Sequence, residues 1–200
     1  SLQYLSAYPL VAQTHELPLA EMSWQALTEK IEEFAVKGKY QESLPFAREA
    51  LAKALRDSSE ASLDYGSSLD LLGFVLHHSG YFTEAEQTFK GAVSHAREHL
   101  GETHEDYITR LSNLAMLHLD MGELAKAASE LESAFHLAEE NLSDDNPYIA
   151  IIINNLGLAY EQTGHLDRAL KFYLLALERT ERTLGKGHLR YAIRLSNIAA

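Results

Sequence analysis

Two histidines and a glutamate of this chain have the residue types and the spacing of a zinc site. They lie in the run His95-Ala96-Arg97-Glu98-His99. On a helix the two imidazoles, four residues apart, would share one face. A run of this order could hold zinc and place its carboxylate beside a metal-bound water, which is the chemistry of peptide hydrolysis. The chain has no cysteine, so thiolate ligands, thiol catalysis and disulfides are excluded.

The surroundings of this run argue against a metal site. It lies inside a sequence repeat, described below, in which small apolar residues recur around it for packing. In other copies of the repeat the two histidine positions hold residues that do not suit zinc: Leu137 and Asn141, then Arg179 and Thr183. We therefore expect this run to be the solvated surface of a helix, and we expect no metal, no cofactor and no catalytic residue.

The remaining histidines suggest two other roles. His77 and His78 are adjacent, and the repeat register places both beside a groove. His104 and His188 recur at one position of the repeat, in a loop between two units. A structural hydrogen bond that fixes the loop explains that recurrence better than a functional site does. No strand pattern exists that could lead into a phosphate-binding loop, so the sequence predicts no enzyme.

A fixed period of glycines determines the architecture. Gly38, Gly80, Gly122 and Gly164 are 42 residues apart, and each is followed two positions later by an aromatic residue or leucine. A period of this size indicates stacked copies of one unit, each of which needs its neighbours to bury its apolar face. The register gives four full units and the start of a fifth: about 24–65, 66–107, 108–149 and 150–191, then 192–200.

Aligned units show columns of small and bulky residues on two helices, one on each side of the glycine. Small residues let two backbones cross closely, and bulky residues one turn away fill the groove between them. The glycine is expected to take a left-handed conformation that reverses the chain. The first-helix columns are Leu72, Leu114, Leu156 and Ile198, followed by Gly73, Ala115, Gly157 and Ala199. The second-helix columns are Ser43, Ala85, Ala127 and Ala169; Phe89, Leu131 and Tyr173; and Ala50, Ala92, Ala134 and Ala176.

This pattern resembles the tetratricopeptide repeat, over residues 24–200. The 42-residue period and the junctions Leu100-Gly101-Glu102-Thr103-His104 and Leu184-Gly185-Lys186-Gly187-His188 are similar to the longer subtype found in kinesin light chains. So are the stretches Ser112-Asn113-Leu114-Ala115, Asn154-Asn155-Leu156-Gly157 and Ser196-Asn197-Ile198-Ala199. The resemblance implies an all-α, right-handed α-solenoid of antiparallel helix pairs over residues 22–200, which binds proteins through its surface.

The resemblance also implies a peptide-binding groove, because first helices line the concave face in this family. The expected site residues are Asp70, Phe74, His77, His78, Ser112, Asn113, Met116, Asp120, Ile151, Asn154, Asn155, Leu158, Glu161 and Asn197, with Leu71, Thr109, Leu119 and Gln162 on the same face. An asparagine can both donate to and accept from a peptide backbone.

Two interpretations of these residues stay open. The asparagine column of Asn113, Asn155 and Asn197 could hold a ligand, or it could bond a neighbouring helix and support the geometry between units. In the same way Phe74, Met116 and Leu158 could form selectivity pockets or pack between units.

Composition narrows the partners. The net charge of −12, with only 17 basic residues, argues against nucleic acid and anionic lipid, which both attract clustered lysine and arginine. No run of about 18 apolar residues suggests a membrane span. The absence of cysteine fits a reducing compartment, so a cytoplasmic location is favoured. We expect a protein or peptide partner.

Both ends of the chain carry expectations of their own. Residues 1–21 lie outside the register and, with Pro9 and Pro18, predict an extended segment that either packs on the first unit or docks into a groove. The chain stops within a first helix, which suggests an alternative function as the regulatory or sensor region of a larger signalling protein or enzyme whose catalytic part lies elsewhere. Apolar residues of that helix, among them Ile193 and Leu195, suggest either self-association through the C-terminal end or fraying of the last helix.

Overall fold

The computed structural model describes residues 18–57 and 59–199, and in this part of the chain helices are the only regular elements. A 3-10 helix, Leu19–Glu21, ends the segment predicted to be extended, and the rest of that segment, residues 1–17, lies outside the described residues. The α-helices that follow are α1 (Trp24–Val36), α2 (Tyr40–Asp57), α3 (Leu63–His78), α4 (Phe82–His99), α5 (Glu105–Asp120), α6 (Leu124–Asn141), α7 (Pro147–Gln162), α8 (Leu166–Leu184) and α9 (Leu189–Ala199).

The helices form antiparallel pairs that stack in chain order. Within each pair the first helix (α1, α3, α5 or α7) packs on the second (α2, α4, α6 or α8), and each second helix packs on the first helix of the next pair. Helix α9 is the first helix of a fifth unit. The predicted all-α solenoid is confirmed. The unit boundaries predicted at residues 66, 108 and 150 fall inside α3, α5 and α7, since the junction loops end a few residues earlier.

The four marker glycines reverse the chain inside each pair, as predicted. Their φ angles are 68° at Gly38, 84° at Gly80, 80° at Gly122 and 79° at Gly164, a region that residues with a Cβ rarely enter. At Gly80 the turn is closed by Tyr81, whose backbone N–H donates to the carbonyl of Leu76 at 2.9 Å. This pattern places a glycine just past the helix C-terminus.

One column of polar residues begins the first helices. His104 Nδ1 accepts from the backbone N–H of Asp106 at 3.1 Å, and His188 Nδ1 accepts from that of Arg190 at 3.1 Å. The equivalent residues of the other units, Ser62 and Asn146, cap α3 and α7 in the same way. These bonds satisfy backbone donors that have no partner in the first turn. The prediction that the recurring histidines fix the junction loops is confirmed.

The small and bulky columns meet in the core, as the sequence predicted. Alanines Ala50, Ala92, Ala134 and Ala176 are fully buried. Gly73 faces the ring of Phe89, and Gly157 faces the ring of Tyr173; a Cβ on either glycine would lie 2.7 Å from a ring carbon. The equivalent pair in the third unit is Ala115 and Leu131, so the chain uses glycine opposite an aromatic ring and alanine opposite leucine.

The prediction that the run around His95 is solvated helix surface is wrong for His95 itself, although His99 is exposed. The side chain of His95 is only 5% exposed and lies 5.7 Å from the ring of Tyr65, between ring centroids. Its Nδ1 atom is 3.4 Å from Arg110 Nη1, and room for it comes from Gly66, where a Cβ would lie 2.4 Å away. Across residues 18–57 and 59–199, no group of three or more histidines and carboxylates could hold a metal ion.

Candidate functional site

A concave groove runs across the first helices of successive units. It consists of two cavities, of about 480 Å³ and 220 Å³, which share Asp70, Thr109, Asn113 and Tyr148. We call their union the groove. Its other lining residues are Trp24, Thr28 and Glu32 of α1; Ser67, Leu71 and Phe74 of α3; Glu105, Asp106, Arg110 and Ser112 of α5; and Ile151 and Ile152 of α7. Four helices of four different units therefore contribute to one surface.

Aromatic side chains form much of the wall. Trp24 is held in place because its Nε1–H donates to Ser68 Oγ at 2.7 Å. Phe74 lies edge-on to Tyr40, with ring centroids 5.8 Å apart. Tyr148, at the first turn of α7, keeps 38% of its surface exposed. Partly exposed rings of this kind can bury a large area against a ligand at little cost in side-chain entropy.

Hydrogen bonds between successive first helices form a ladder that begins in the groove, at Asp70 and Asn113, and continues beyond it. Each bond joins residues 43 positions apart, and in each the Nδ2 atom of an asparagine donates to the preceding unit. The pairs are Asn113 to Asp70 Oδ1 at 3.1 Å, Asn155 to Ser112 Oγ at 3.4 Å, and Asn197 to Asn154 Oδ1 at 2.7 Å. The alternative interpretation of the asparagine column, a bond to the neighbouring helix, is therefore present in the structure.

Each donor asparagine of the ladder bonds through its Nδ2 atom. Asn113 lines the groove and bonds Asp70 through Nδ2, and its side-chain oxygen is an acceptor of the kind that a ligand backbone N–H could use. The hydroxyl of Thr109, which lines both cavities, is buried and has no hydrogen-bond partner among the described residues. Both groups are chemically suited to a polar ligand.

The expected site residues divide into three sets. Asp70, Phe74, Ser112, Asn113 and Ile151 line the groove. His77, His78 and Asp120 line a separate cavity of about 350 Å³ with Phe82. The others have structural contacts. Met116 and Leu158 pack on the buried cluster that contains Leu131 and Leu156, and Glu161 accepts from the hydroxyl of Tyr173. Asn154, Asn155 and Asn197 belong to the ladder.

The two adjacent histidines differ in their surroundings. His77 Nε2 lies 2.7 Å from Asp120 Oδ2 and so joins two units. His78 lies against Phe74, with ring centroids 4.3 Å apart, and its Nδ1 is 3.2 Å from the carbonyl oxygen of Phe74. Burial lowers the pKa of His78, and the neighbouring His77 lowers it further. The separate cavity lined by His77, His78 and Asp120 adjoins the groove, because His78 contacts Phe74.

Several groove residues were not expected from the sequence, and four of them are charged. Glu32 and Glu105 lie at positions whose equivalents in other units are neutral or apolar. The positions of Asp106 and Arg110 are charged in some units and neutral in others, so no column identified them. Arg110 is almost fully buried, and it donates to Asp106 Oδ2 at 3.2 Å and to the carbonyl of Ala92 at 3.4 Å. With Asp70, the lining contains four carboxylates and one guanidinium.

Asp70 is the most unusual of these carboxylates. Burial raises its pKa above the usual value, while the hydrogen bond from Asn113 and the positive charge of Arg110 lower it. The burial effect is the largest of these, so the ionised form of Asp70 is held in the groove at a cost.

Substitution of Asn113 tests the structural part of this arrangement. Asn113→Ala should lower the free energy of unfolding by about 1–3 kcal/mol at neutral pH, because the Asp70 carboxylate loses its hydrogen bond. The loss should shrink at acid pH. The folded-state pKa of Asp70 is raised above 3.8, and losing the bond raises it further, so the folded variant binds a proton more readily than the unfolded chain. Urea unfolding at neutral and acid pH measures both values.

Asn141→Ala is the matched control for this prediction. Asn141 is exposed, and its Nδ2 donates only within its own helix, to the carbonyl of Leu137 at 2.9 Å. Its replacement should change stability by no more than about 0.5 kcal/mol, as for other surface sites. A cost of Asn113→Ala that is the same at both pH values would show that the charge of Asp70 is not what Asn113 stabilises.

Comparison with known proteins agrees with the observed fold. The family model of the tetratricopeptide repeat matches residues 64–140 and 109–181. No curated protein matches the chain significantly by sequence. Among the residues that the structure describes, every helix is too short or too polar to cross a membrane.

Solved structures with this fold include the repeats of a kinesin light chain and two further proteins. The nearly identical TPR-like repeats of a kinesin light chain from Podosopora anserina align with a TM-score of 0.70 at 16% identity, covering 92% of this chain and 86% of that one. BtubC (BKLC) from P. vanneervenii aligns with a TM-score of 0.71 at 19% identity, covering 87% and 69%. A Rap protein in complex with competence and sporulation factor aligns with a TM-score of 0.69 at 15% identity, covering 88% of this chain and 52% of that one. At these identities the likeness concerns the fold.

Proposed function

The chain belongs to the tetratricopeptide repeat family, and on that premise we propose that it is a protein-interaction scaffold whose groove binds an extended peptide segment of a partner. The observation that carries the proposal is the continuity of the groove across the first helices of four units. A surface of this form is long enough for several residues of an extended chain, which advance by about 3.3 Å each. The proposed role is binding, without catalysis by this chain.

The chemistry of the lining supports a peptide as the ligand. Asn113 and Thr109 offer hydrogen bonds to a backbone, and Trp24, Phe74 and Tyr148 offer apolar surface to side chains. Peptide-recognition surfaces combine these two elements, main-chain bonds for affinity and pockets for selectivity. The Rap protein, which has a similar fold, was solved with competence and sporulation factor bound, and this is compatible with a binding role here.

Removing the most exposed ring of the groove tests the proposal. Peptides are first selected on the wild-type protein from a random phage-displayed library and then labelled. Tyr148→Ala should weaken their binding at least ten-fold in fluorescence anisotropy, because exposed tyrosines at the centre of an interface often contribute about 2 kcal/mol. Tyr81→Ala is the matched control, since Tyr81 is 48% exposed on the α3–α4 turn, outside the groove lining. A library that enriches no peptide, or equal effects of the two variants, would contradict the proposal.

Helix α9 carries exposed apolar side chains: Ile193 is 44% exposed and Leu195 is 46% exposed. Self-association through this end, and attachment to a larger signalling protein, both stay predictions. Neither is needed for the groove to bind a peptide.

A further inference from the structure

The charge of Asp70 has no role in the ladder that holds it. At the equivalent position of the next two units the acceptor of the asparagine amide is Ser112 or Asn154, both of which are neutral. In all three pairs the donor is the Nδ2 atom of an asparagine 43 positions after the acceptor, at 2.7–3.4 Å. A neutral acceptor is therefore sufficient for this contact, and a carboxylate at residue 70 needs another explanation.

The surroundings of Asp70 leave its charge only partly compensated. Asn113 contacts both carboxylate oxygens, at 3.1 Å and 3.2 Å, through a single nitrogen. The nearest guanidinium, that of Arg110, is directed to Asp106 and to the carbonyl of Ala92. Burial consequently dominates and raises the pKa of Asp70. A partly desolvated carboxylate of this kind gains most from a cation that enters its cavity.

The cavity around Asp70 is suited to such a cation. Apart from Arg110, all charged side chains in the lining are acidic: Glu32, Asp70, Glu105 and Asp106. Beside them, Trp24, Leu71 and Phe74 offer apolar and aromatic surface. An alkyl stem packs on such surface while its charged end reaches a carboxylate, and the rings also attract a cation directly. Thr109 also lines this cavity, and its buried hydroxyl has no hydrogen-bond partner among the described residues.

We propose that Asp70 anchors a basic side chain, a lysine or an arginine, of the peptide that the groove binds. This inference rests on the proposed function and specifies its partner: an extended segment with a basic residue placed to reach Asp70, flanked by apolar residues. The acidic lining and the net charge of −12 attract such a segment to the protein, and Asp70 determines where its charge is held.

The test compares two variants that change the net charge equally. Asp70→Asn gives residue 70 the side chain that the chain itself uses at Asn154, so the ladder bond is retained. Asp167→Asn removes a charge from the exposed first turn of α8. Peptides selected from the random phage library on wild-type protein should be enriched in lysine and arginine. Asp70→Asn should weaken their binding by about ten-fold to a hundred-fold, the range for a bond between charged groups, and Asp167→Asn less than about two-fold.

A second readout has the opposite sign. Because the Asp70 carboxylate is held at a cost, Asp70→Asn should raise the thermal midpoint of the free protein slightly while it weakens binding. Unchanged affinity with a conserved fold would overturn the inference, and so would selected peptides without basic residues. Equal losses in the two variants would show general attraction to an acidic protein and would also overturn it. If peptides bind and Tyr148→Ala abolishes binding while Asp70→Asn has no effect, the proposed binding groove is supported. Only the inference that Asp70 holds a basic side chain then fails.

Discussion

Replacing Gly73 with alanine should lower the free energy of unfolding by about 2 kcal/mol, although alanine favours a helix more than glycine does. The added Cβ would lie 2.7 Å from Cδ1 of Phe89 and 2.8 Å from Cε1. Phe89 is itself buried in the core, so its ring has little room to move away. Overpacking of this kind forces the two helices apart or the ring out of its preferred rotamer. Chemical denaturation of the purified variant measures the loss.

The chain supplies both a control and a rescue for this prediction. Gly91 lies on α4, the same helix as Phe89, but a Cβ there would make only ordinary contacts, 3.7 Å from Leu69. Gly91→Ala should therefore stabilise the protein by up to about 1 kcal/mol. Combining Gly73→Ala with Phe89→Leu recreates the Ala115 and Leu131 pair of the third unit, so the double variant should lose less than the sum of its parts. Strict additivity would show that the ring is not what Gly73 accommodates.

This pairing shows what a repeated sequence can predict. The columns of small and bulky residues identify the helix faces that meet, because each unit solves the same packing problem. Marker glycines and capping residues such as His104 follow for the same reason, since every unit has the same turn and the same junction. The fold and its turns were therefore predictable from the period, the residue columns and the family resemblance that they carry.

The groove was predictable only in part, because its special features belong to single units. Asp70, Phe74 and Asn113 fall on the face that the register assigned to a ligand, and they do line the groove. Arg110 and His95 bury against each other because Gly66 makes room for them, and no other unit repeats that combination. A column average hides such contacts. The partners of the asparagines also depend on how neighbouring units are rotated, which residue spacing does not specify.

Replacing His118 should have the largest effect of any polar substitution, about 3 kcal/mol of unfolding free energy. The side chain of His118 on α5 is completely buried. Its Nδ1 atom lies 2.5 Å from Glu130 Oε2 on α6, and its Nε2 atom lies 3.3 Å from Glu86 Oε1 on α4. Through these two contacts the ring joins three helices of two units. His118→Leu keeps the bulk and removes both ring nitrogens.

The other partner of Glu86 reduces the loss of stability in His118→Leu without cancelling it. Glu86 also bonds Lys90 at 2.7 Å, and the pKa of Glu86 is lowered to about 2, first by that lysine and also by His118. Glu86 therefore stays ionised in the variant, partly hydrated and partly paired. His136→Leu, on the exposed face of α6, is the matched control and should change stability by no more than about 0.5 kcal/mol. Similar losses in the two variants would contradict the role assigned to His118.

The position of His118 also predicts where the protein opens. In a stacked array each unit contacts only its neighbours, so stability is close to a sum of unit terms and interface terms. His118 joins α4 of the second unit to α5 and α6 of the third, at the interface that the groove crosses. In His118→Leu, amide hydrogen exchange should accelerate most in α4, α5 and α6, and least in α1 and α8. Acceleration spread evenly over all helices would mean that the array unfolds as one unit. Localised acceleration would mean that the buried contacts of His118 couple the two halves of the binding surface.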